Sequence, residues 1–359
     1  MFRAAVVLLL HGCSCGDEGT ALLDAATGPN DAAADAEPGR DAGETDSGDD
    51  AALPGAPLST LVCELEERPG PIPEPPETRV ADFGPPIRLA LDDPCPQDAV
   101  EVSPDGTRVY YWYMINDFQL LLDEGRIVEG TEVRFHDLDG GEWGPARLLD
   151  LRRGDSGALP GETSVAPDGS WVVWHAQSPQ NFGEVDGYPE GQSFDLDIFE
   201  AAMANSVPEP GTHLGREVNS RYLEGEQWVT DDGRTLYFAS NRPGGLGDLD
   251  IWKIQRDAQG VWAEAEALGE PVSSAASEIQ PTFSPDGRFI YFTSTRGGRR
   301  EIWRVATTED GGFEGEAELV LSPHVGEATF TGDGRLFFVH VELEGGVPYD
   351  VDIYFVEPE

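Results

Sequence analysis

The sequence has 359 residues with 68 acidic and 23 basic side chains, which gives a formal net charge of −45 at pH 7. This excess of acid argues against nucleic-acid binding, because affinity for the phosphate backbone depends on Lys and Arg. An apolar fraction of 39% allows a large globular core but not a bundle of membrane helices.

The N-terminus is typical of an export signal. Arg3 precedes the apolar run of residues 4–10, which is too short to span a bilayer and matches the core of a signal peptide. The run leads into Leu-His-Gly-Cys, which ends at Cys13 and resembles a bacterial lipobox. Residues 1–12 are therefore predicted to be a lipoprotein signal peptide, and Cys13 the lipidated residue. The alternative is ordinary secretion with free thiols.

Residues 13–78 are predicted to be a disordered tether. The stretch 16–57 carries 11 Asp and Glu but few large apolar side chains, so burial cannot offset the entropy of ordering it. The Pro-rich stretch 69–76 is expected to be stiffer and polyproline-like. In an oxidising compartment we expect Cys63 and Cys95 to form a disulfide that fixes the tether to the folded body.

After the tether, a loose repeat of Asp-Gly pairs runs to the last part of the chain. The Gly residues are spaced by 63, 64, 54 and 47 positions, as expected for repeated units with loops of variable length. Asp-Gly favours tight hairpins, because Gly tolerates a positive φ. An apolar run follows each pair and predicts a strand covered on both faces. The pairs are Asp105-Gly106, Asp168-Gly169, Asp232-Gly233, Asp286-Gly287 and Asp333-Gly334.

Two further strands are predicted in each unit. The third begins with an acidic residue before an apolar one, and the fourth shows an aromatic residue six positions before a Leu, as in Trp143 and Leu149. The second unit lacks this last pattern, so its outer strand is not predicted. We expect Asp197, Asp250 and Asp352, which begin third strands, to be structural and to tie a turn to their own blade.

The fifth unit stops after its third strand, and its fourth strand stands before the first unit. Phe83 and Leu89 have the same aromatic-to-Leu spacing. A ring of four-stranded blades, closed by this N-terminal strand, explains the permutation and pairs the edges that an open array would leave bare. The sequence therefore predicts an all-β fold for residues 79–359, a five-bladed β-propeller, with six blades as the alternative.

The repeats also resemble those of a known family. The turns at 103–106 and 284–287, both Ser-Pro-Asp-Gly, and the stretch 239–252 are similar to the repeats of TolB-like, WD40-like (PD40) β-propellers. The resemblance covers residues 79–359 and implies the propeller fold. It also implies an envelope protein that docks other proteins, since the family's best-known members do so.

The sequence offers little support for catalysis. It contains no Gly-x-Ser-x-Gly motif and no His-Glu-x-x-His motif, and its His residues are scattered. His175 and His340 lie in apolar runs, where we expect them to be core imidazoles. No catalytic residue is predicted.

Carboxylates recur at one position of the innermost strands, where the blades of a propeller converge on its axis. Counting seven residues back from each turn Gly gives Ala99, Glu162, Glu226, Gln280 and Glu327. Three carboxylates and an amide around one channel mouth would suit Ca²⁺ or, less favourably, the acid and base of a glycosidase. The alternative, which we favour, is that each Glu binds amides of its own blade.

A second candidate is the face that carries the loops between blades, because long loops on a rigid scaffold often carry recognition. Two long insertions, about 115–130 and 177–193, are expected there. Arg side chains on this face would form a positive island that attracts an anionic partner; the alternative is that they pair with nearby acids. The candidate binding residues are Arg242, Arg296, Arg299, Arg300, Phe118, Phe182 and Tyr188.

Together these features predict a non-catalytic bacterial envelope lipoprotein, anchored in a membrane by lipid and either periplasmic or exposed at the surface. The propeller would bind envelope proteins or peptides as a monomer, without cofactors. The first alternative is a Ca²⁺-dependent glycan-binding propeller, and the second is a propeller glycosidase.

Overall fold

The computed structural model describes residues 58, 72, 74–91, 95–113, 132–155, 158–182, 196–344 and 347–359. Over these residues the chain forms 23 strands in five antiparallel sheets. Each sheet is one blade of a β-propeller, so the five-bladed prediction is confirmed and the six-bladed alternative is wrong. No helix in the described part of the chain is both long enough and apolar enough to cross a membrane.

The innermost strands form a closed ring, because each contacts the innermost strands of both neighbouring blades. An Asp-Gly hairpin joins each of them to the second strand of its blade. The innermost strands are β3 (Gln97–Val102), β8 (Leu159–Val165), β13 (Glu224–Val229), β17 (Glu278–Phe283) and β21 (Val325–Phe330). The second strands are β4 (Arg108–Tyr113), β9 (Trp171–Gln177), β14 (Thr235–Ser240), β18 (Phe289–Ser294) and β22 (Leu336–Glu344).

The third and outer strands complete the blades. The third strands are β5 (Glu132–Asp139), β10 (Asp197–Ala204), β15 (Asp250–Gln255), β19 (Glu301–Thr307) and β23 (Val347–Val356). The outer strands are β6 (Glu142–Trp143) and β7 (Arg147–Leu148) in the first blade, β11 (Val207–Pro208) and β12 (Thr212–His213) in the second, β16 (Glu266–Ala267) in the third, β20 (Phe313–Ser322) in the fourth and β2 (Ile87–Arg88) in the fifth.

The Asp-Gly hairpins have the geometry that their sequence predicts. In the first blade the Asp105 carboxylate accepts hydrogen bonds from the Ser103 hydroxyl at 2.7 Å and the Thr107 amide at 3.0 Å. Gly106 closes the turn at φ +70°, and the Gly at this position has a positive φ in all five blades. A Cβ is unfavourable in this conformation, so the recurrence of Gly has a direct steric cause.

The outer strand of the second blade is split into two short pieces. Strand β11 pairs with the end of β10, and β12 pairs with its beginning. Pro208 and Pro210 lie in and beside the break, and proline has no N–H to donate to a ladder. The aromatic-to-Leu pattern is absent from this unit, and the two prolines occupy the stretch where it would stand.

The N-terminal strand closes the ring as predicted. Ile87 is opposite Phe355 of β23, and the Leu89 amide donates to the Ile353 carbonyl at 2.8 Å. On the N-terminal side of these contacts, Phe83 forms an antiparallel bridge with Pro358. The last blade therefore takes its outer strand from the beginning of the folded part.

One strand lies in the stretch that the sequence assigned to the tether. Strand β1 (Glu77–Thr78) pairs with β20 as a fifth strand of the fourth blade, so the folded part begins before residue 79. Cys95 is buried and disulfide-bonded. Cys63 and Cys13 lie outside the described residues, so the pairing of Cys63 with Cys95 stays a prediction.

The core lies between neighbouring blades. Second strands supply its largest side chains, and Tyr111, Phe238, Phe292 and Phe338 are fully buried. These strands are covered on both faces, which explains why they are apolar almost without interruption.

Replacing Leu89 by Pro tests the closing strand. The variant loses the amide that donates to Ile353 and leaves this carbonyl without its donor, which should lower the free energy of unfolding by about 1–3 kcal/mol. Urea denaturation measures the loss. Ala90→Pro, one residue beyond the last of these hydrogen bonds, is the matched control, and equal losses in the two variants would contradict the assigned closure.

Candidate functional site

A β-bulge in each innermost strand turns one side chain toward the axis. The register shifts between Asp98 and Glu101 in the first blade, and at the corresponding place in the other four. A bulge inserts an extra residue and re-aims its side chain. The bulge residues are Ala99, Glu162, Glu226, Gln280 and Glu327, and all but Glu162 have a left-handed φ of 53–63°.

These bulge residues lie inside the channel. Glu226 is 3% exposed, and Gln280 and Glu327 are each 4% exposed. The sequence placed the carboxylates at a channel mouth, whereas the structure places the bulge midway along each innermost strand and leaves Glu162 partly exposed.

The bulge residues and the side chains that contact them form a cluster on the axis. One half of this axial cluster is organised around Arg300. Its guanidinium donates to the carboxylate of Glu327 and to the side-chain oxygen of Gln280, both at 3.1 Å. The Gln280 amide nitrogen donates to the same Glu327 oxygen at 2.7 Å, and the Thr293 hydroxyl donates to Gln280 at 2.7 Å. Glu327 is therefore held by neighbouring side chains of the fourth blade.

The other half contains Glu162, Glu226 and His175. One ligand atom from each of the three side chains lies within 4.8 Å of the other two. The imidazole is held between two innermost strands, where the Glu162 amide faces Nε2 at 3.3 Å and the Glu226 amide faces Nδ1 at 3.2 Å. His175 is buried as expected, and the sequence did not place it against the carboxylates.

Burial dominates the ionisation of this cluster. It raises the pKa of Glu162 and of Glu327 well above the usual value, and the nearby carboxylates of Glu226 and Asp98 raise both further. Burial also raises the pKa of Glu226, although hydrogen bonding to Glu162 and the charge of Arg300 oppose this shift. It lowers the pKa of His175 to about 4. At pH 7 the ring is therefore neutral.

Two of the predicted binding-face arginines belong to a repeated internal network. Arg242 pairs with Glu224 at 2.9 Å, and Arg296 pairs with Glu278 at 3.1 Å; both carboxylates are fully buried. Each carboxylate also accepts hydrogen bonds from two serines of its own blade. The shared signal in the sequence is a Ser four residues before the Glu, with a second Ser two residues before the Arg.

The remaining binding-face candidates divide between surface and interior. Arg299 is exposed, whereas Arg300 is buried at the axis. Phe182 is partly buried against the His213 ring at 4.7 Å, with the Arg216 guanidinium 4.1 Å from its centre. Phe118 and Tyr188 lie outside the described residues.

Asp197, Asp250 and Asp352, which begin third strands, each contact a residue of their own blade. Asp250 accepts hydrogen bonds from the Leu246 and Gly247 amides at 2.8 and 3.0 Å, which ties the preceding turn to its blade. Asp197 accepts from the His213 ring at 2.7 Å, and Asp352 pairs with Arg88 of the closing strand at 2.5 Å.

A cavity of about 760 Å³ opens on the axis at the hairpin face, opposite the face that the sequence favoured. All five blades line it, through the two residues that lie four and five positions before each turn Gly. Counting back from each turn Gly, as was done for the bulge residues, would have identified these lining residues from the sequence. They are Glu101, Val102, Ser164, Val165, Trp228, Val229, Thr282, Phe283, Thr329 and Phe330.

No family profile matches the sequence, and no curated protein matches it. TolB from Acinetobacter baumannii is similar in structure, with 16% identity and a TM-score of 0.40 over 75% of this chain and 56% of that one. A protein assigned as TolB from Agrobacterium tumefaciens matches with 20% identity and a TM-score of 0.41, over 74% of this chain and 80% of that one. The PQQ-bound aldose sugar dehydrogenase from Streptomyces coelicolor matches with 11% identity and a TM-score of 0.41, over 80% and 99%.

The chain thus spans less than two thirds of the first of these proteins. These likenesses concern the fold, and the five antiparallel blades of this chain confirm the β-propeller that the resemblance to TolB-like proteins implied.

Replacing Arg296 by Ala tests the repeated network. Removing one partner of a buried pair leaves Glu278 uncompensated, and the expected loss of unfolding free energy is about 3–5 kcal/mol. Arg299→Ala, at an exposed position of the same loop, should change it by less than about 0.5 kcal/mol. Chemical denaturation of the two variants measures both values, and a similar small loss in each would rule out the structural role of Arg296.

Glu101 predicts a pH dependence of stability above neutral pH. Burial raises its pKa to about 8, although the Val165 amide donates to both of its oxygens. Between pH 6.5 and 8 the folded chain therefore keeps a proton that the unfolded chain has lost, so stability falls as pH rises. Glu101→Gln should reduce this slope by about 1 kcal/mol per pH unit, measured by denaturation at several pH values. The exposed Glu209→Gln is the control, and an unchanged slope in Glu101→Gln would contradict the assignment.

Proposed function

We propose that this protein is an exported, non-catalytic binding module. Its axial cavity would take a peptide, or a segment of a partner protein, in which an apolar side chain is flanked by basic residues. The cavity on the hairpin face carries this proposal, because it is concave and every blade contributes to its wall.

Aromatic rings give the cavity an apolar wall suited to an anchoring side chain. The ring of Phe283 lies 5.1 Å from that of Trp228 and 5.0 Å from that of Tyr237. Phe330 contributes a fourth ring from the next blade. Rigid aromatic groups provide large contact area at a low entropy cost, which is why they often dominate binding energy.

The charge around the cavity favours a basic partner. Asp231 and Asp232 are among the described residues that line it, and none of those residues is Lys or Arg. The formal net charge of −45 adds a negative field over the whole protein, and such a field attracts cationic partners. This differs from the anionic partner that the arginine face suggested, because Arg242, Arg296 and Arg300 are paired internally.

The contact between Glu162 and Glu226 disfavours the glycosidase alternative. Glycosidase carboxyl groups stand about 5–9.5 Å apart across the scissile bond. Here one carboxylate oxygen of Glu162 lies within 4.8 Å of one of Glu226, which is closer than a scissile glycosidic bond between them requires.

The disulfide at Cys95 supports export, since disulfides persist mainly in oxidising compartments. We therefore retain the proposal of a lipid-anchored envelope protein, with Cys13 as the lipidated residue. Its partners would be envelope proteins or peptides.

Binding to a defined peptide panel tests the proposed function. The probes are fluorescein-labelled nonapeptides with a central Leu, Phe or Trp flanked by Lys, together with the same peptides carrying Glu instead of Lys. We expect the Lys series to bind more tightly in fluorescence polarisation. Trp228→Ala and Phe283→Ala should each weaken binding at least 10-fold, in keeping with the loss of a buried aromatic anchor.

Leu246→Ala, at a residue that is 52% exposed and does not line the cavity, is the matched control and should bind as the unchanged protein does. Equal affinity in Trp228→Ala and the control would overturn the proposed cavity. Binding to an immobilised glycan panel that disappears in Trp228→Ala, with no peptide binding, would replace the peptide by a sugar.

A further inference from the structure

The strongest unexplained group of side chains outside the cavity is Glu162, His175 and Glu226. Oε2 of Glu162 and Oε2 of Glu226 are buried and face no hydrogen-bond donor in the described part of the chain. A buried carboxylate oxygen without a donor carries a desolvation cost that only a proton or a cation can offset.

The charges of the cluster are not balanced by its side chains. Asp98, Glu162, Glu226 and Glu327 bring four carboxyl groups to the axis. Arg300 is the basic side chain at this place among the described residues, and its guanidinium donates to Glu327 and Gln280.

The fold holds the imidazole beside these carboxylates by using glycine. A Cβ on Gly161 would lie 2.1 Å from Nε2 of His175, and a Cβ on Gly225 would lie 3.0 Å from Nδ1. Each of these glycines comes directly before a bulge residue. The imidazole therefore lies between two innermost strands at positions that have no side chain. This fixes His175 against both carboxylates.

The ring has an electron pair that a cation can use. A neutral imidazole has one lone pair and one N–H, yet backbone amides face both nitrogens at 3.2 and 3.3 Å. These contacts are long for hydrogen bonds, and the lone pair can accept only one of them.

We propose that Glu162, His175 and Glu226 bind one divalent transition-metal ion of the Zn²⁺ type inside the channel. One imidazole nitrogen with two carboxylate oxygens suits such an ion better than Ca²⁺, which prefers oxygen ligands throughout. The ion would bind the two carboxylate oxygens that face no donor among the described residues. Glu327, which the sequence grouped with these residues, is excluded from the site because Arg300 and Gln280 hold it.

The distances between the three ligand atoms allow an ion to bind. Bonds of about 2.1 Å to a tetrahedral Zn²⁺ hold ligand atoms about 3.4 Å apart. The present separations, within 4.8 Å, require movements of roughly 1 Å, which rotation of a carboxylate supplies. The site is independent of the peptide cavity, so either proposal can fail alone.

Zn²⁺ titration of the full chain after chelator treatment tests the site. Calorimetry at pH 7.5 should show one equivalent of tight binding, and thermal melting should show an increase in Tm with Zn²⁺, because a ligand of the folded state stabilises it. Glu162→Gln and Glu226→Gln should each weaken binding at least 100-fold and abolish the increase. Both replacements keep the shape and remove a buried charge, so without metal these variants should melt no lower than the unchanged protein.

Two controls make the outcome specific. His324→Gln removes a ring that pairs with Glu74 at 2.9 Å near the surface and should leave Zn²⁺ affinity unchanged. Ca²⁺ at the same concentration should not shift Tm. The proposal is overturned if Zn²⁺ affinity survives in Glu226→Gln, if it disappears in His324→Gln, or if Ca²⁺ shifts Tm as much as Zn²⁺ and still does so in His175→Gln.

Discussion

The pairing of β2 with β23 is the junction on which the channel depends. Five twisted sheets can surround an axis only if the last blade meets the first, and here β21 contacts both β17 and β3. The chain achieves this by supplying the outer strand of the last blade from its N-terminal side. Side chains at the axis then lie between five innermost strands and out of water. The burial of Glu226 and Glu327 follows from closure and not from any local feature of their own strands.

Closure has an electrostatic consequence. A bulge at the same place in five strands directs five side chains into one small volume, and three of these are Glu. Like charges so close together cannot all ionise in a medium that solvates them poorly. The two halves of the cluster reduce this repulsion in different ways. One half of the cluster receives Arg300, and the other half has a neutral imidazole and carboxyl groups of raised pKa.

The sequence revealed the fold because its signals recur once in each blade. Asp-Gly marks each hairpin, and a fixed number of residues separates the turn Gly from the bulge, so simple counting located the axis from Ala99 to Glu327. The partners of the bulge residues do not recur. His175 comes from a second strand and Arg300 from the residue before a third strand, and only the folded ring brings them to the axis. Arg242 and Arg296 were assigned to a surface because the Glu residues that pair with them precede them by 18 positions, although a Ser four residues before each Glu was visible. Strand β1 was missed because it is a fifth strand in a blade for which the repeat predicts four, so no recurring residue marks it.

The size of the residue before the bulge determines whether a side chain from a neighbouring strand can reach the axis beside that blade. It is Gly161 in the second blade and Gly225 in the third, and the His175 ring occupies the space between them. It is Gly326 in the fifth blade, where a Cβ would lie 2.9 Å from Nε of Arg300. In the fourth blade the same position is Ile279, a buried core residue, and in the first it is Asp98. A glycine at this position therefore accompanies a buried basic or imidazole side chain from a neighbouring strand, and the chain places these side chains beside the three Glu. Five similar blades thus produce an asymmetric interior, and this asymmetry assigns arginine to one pair of blades and the imidazole to another.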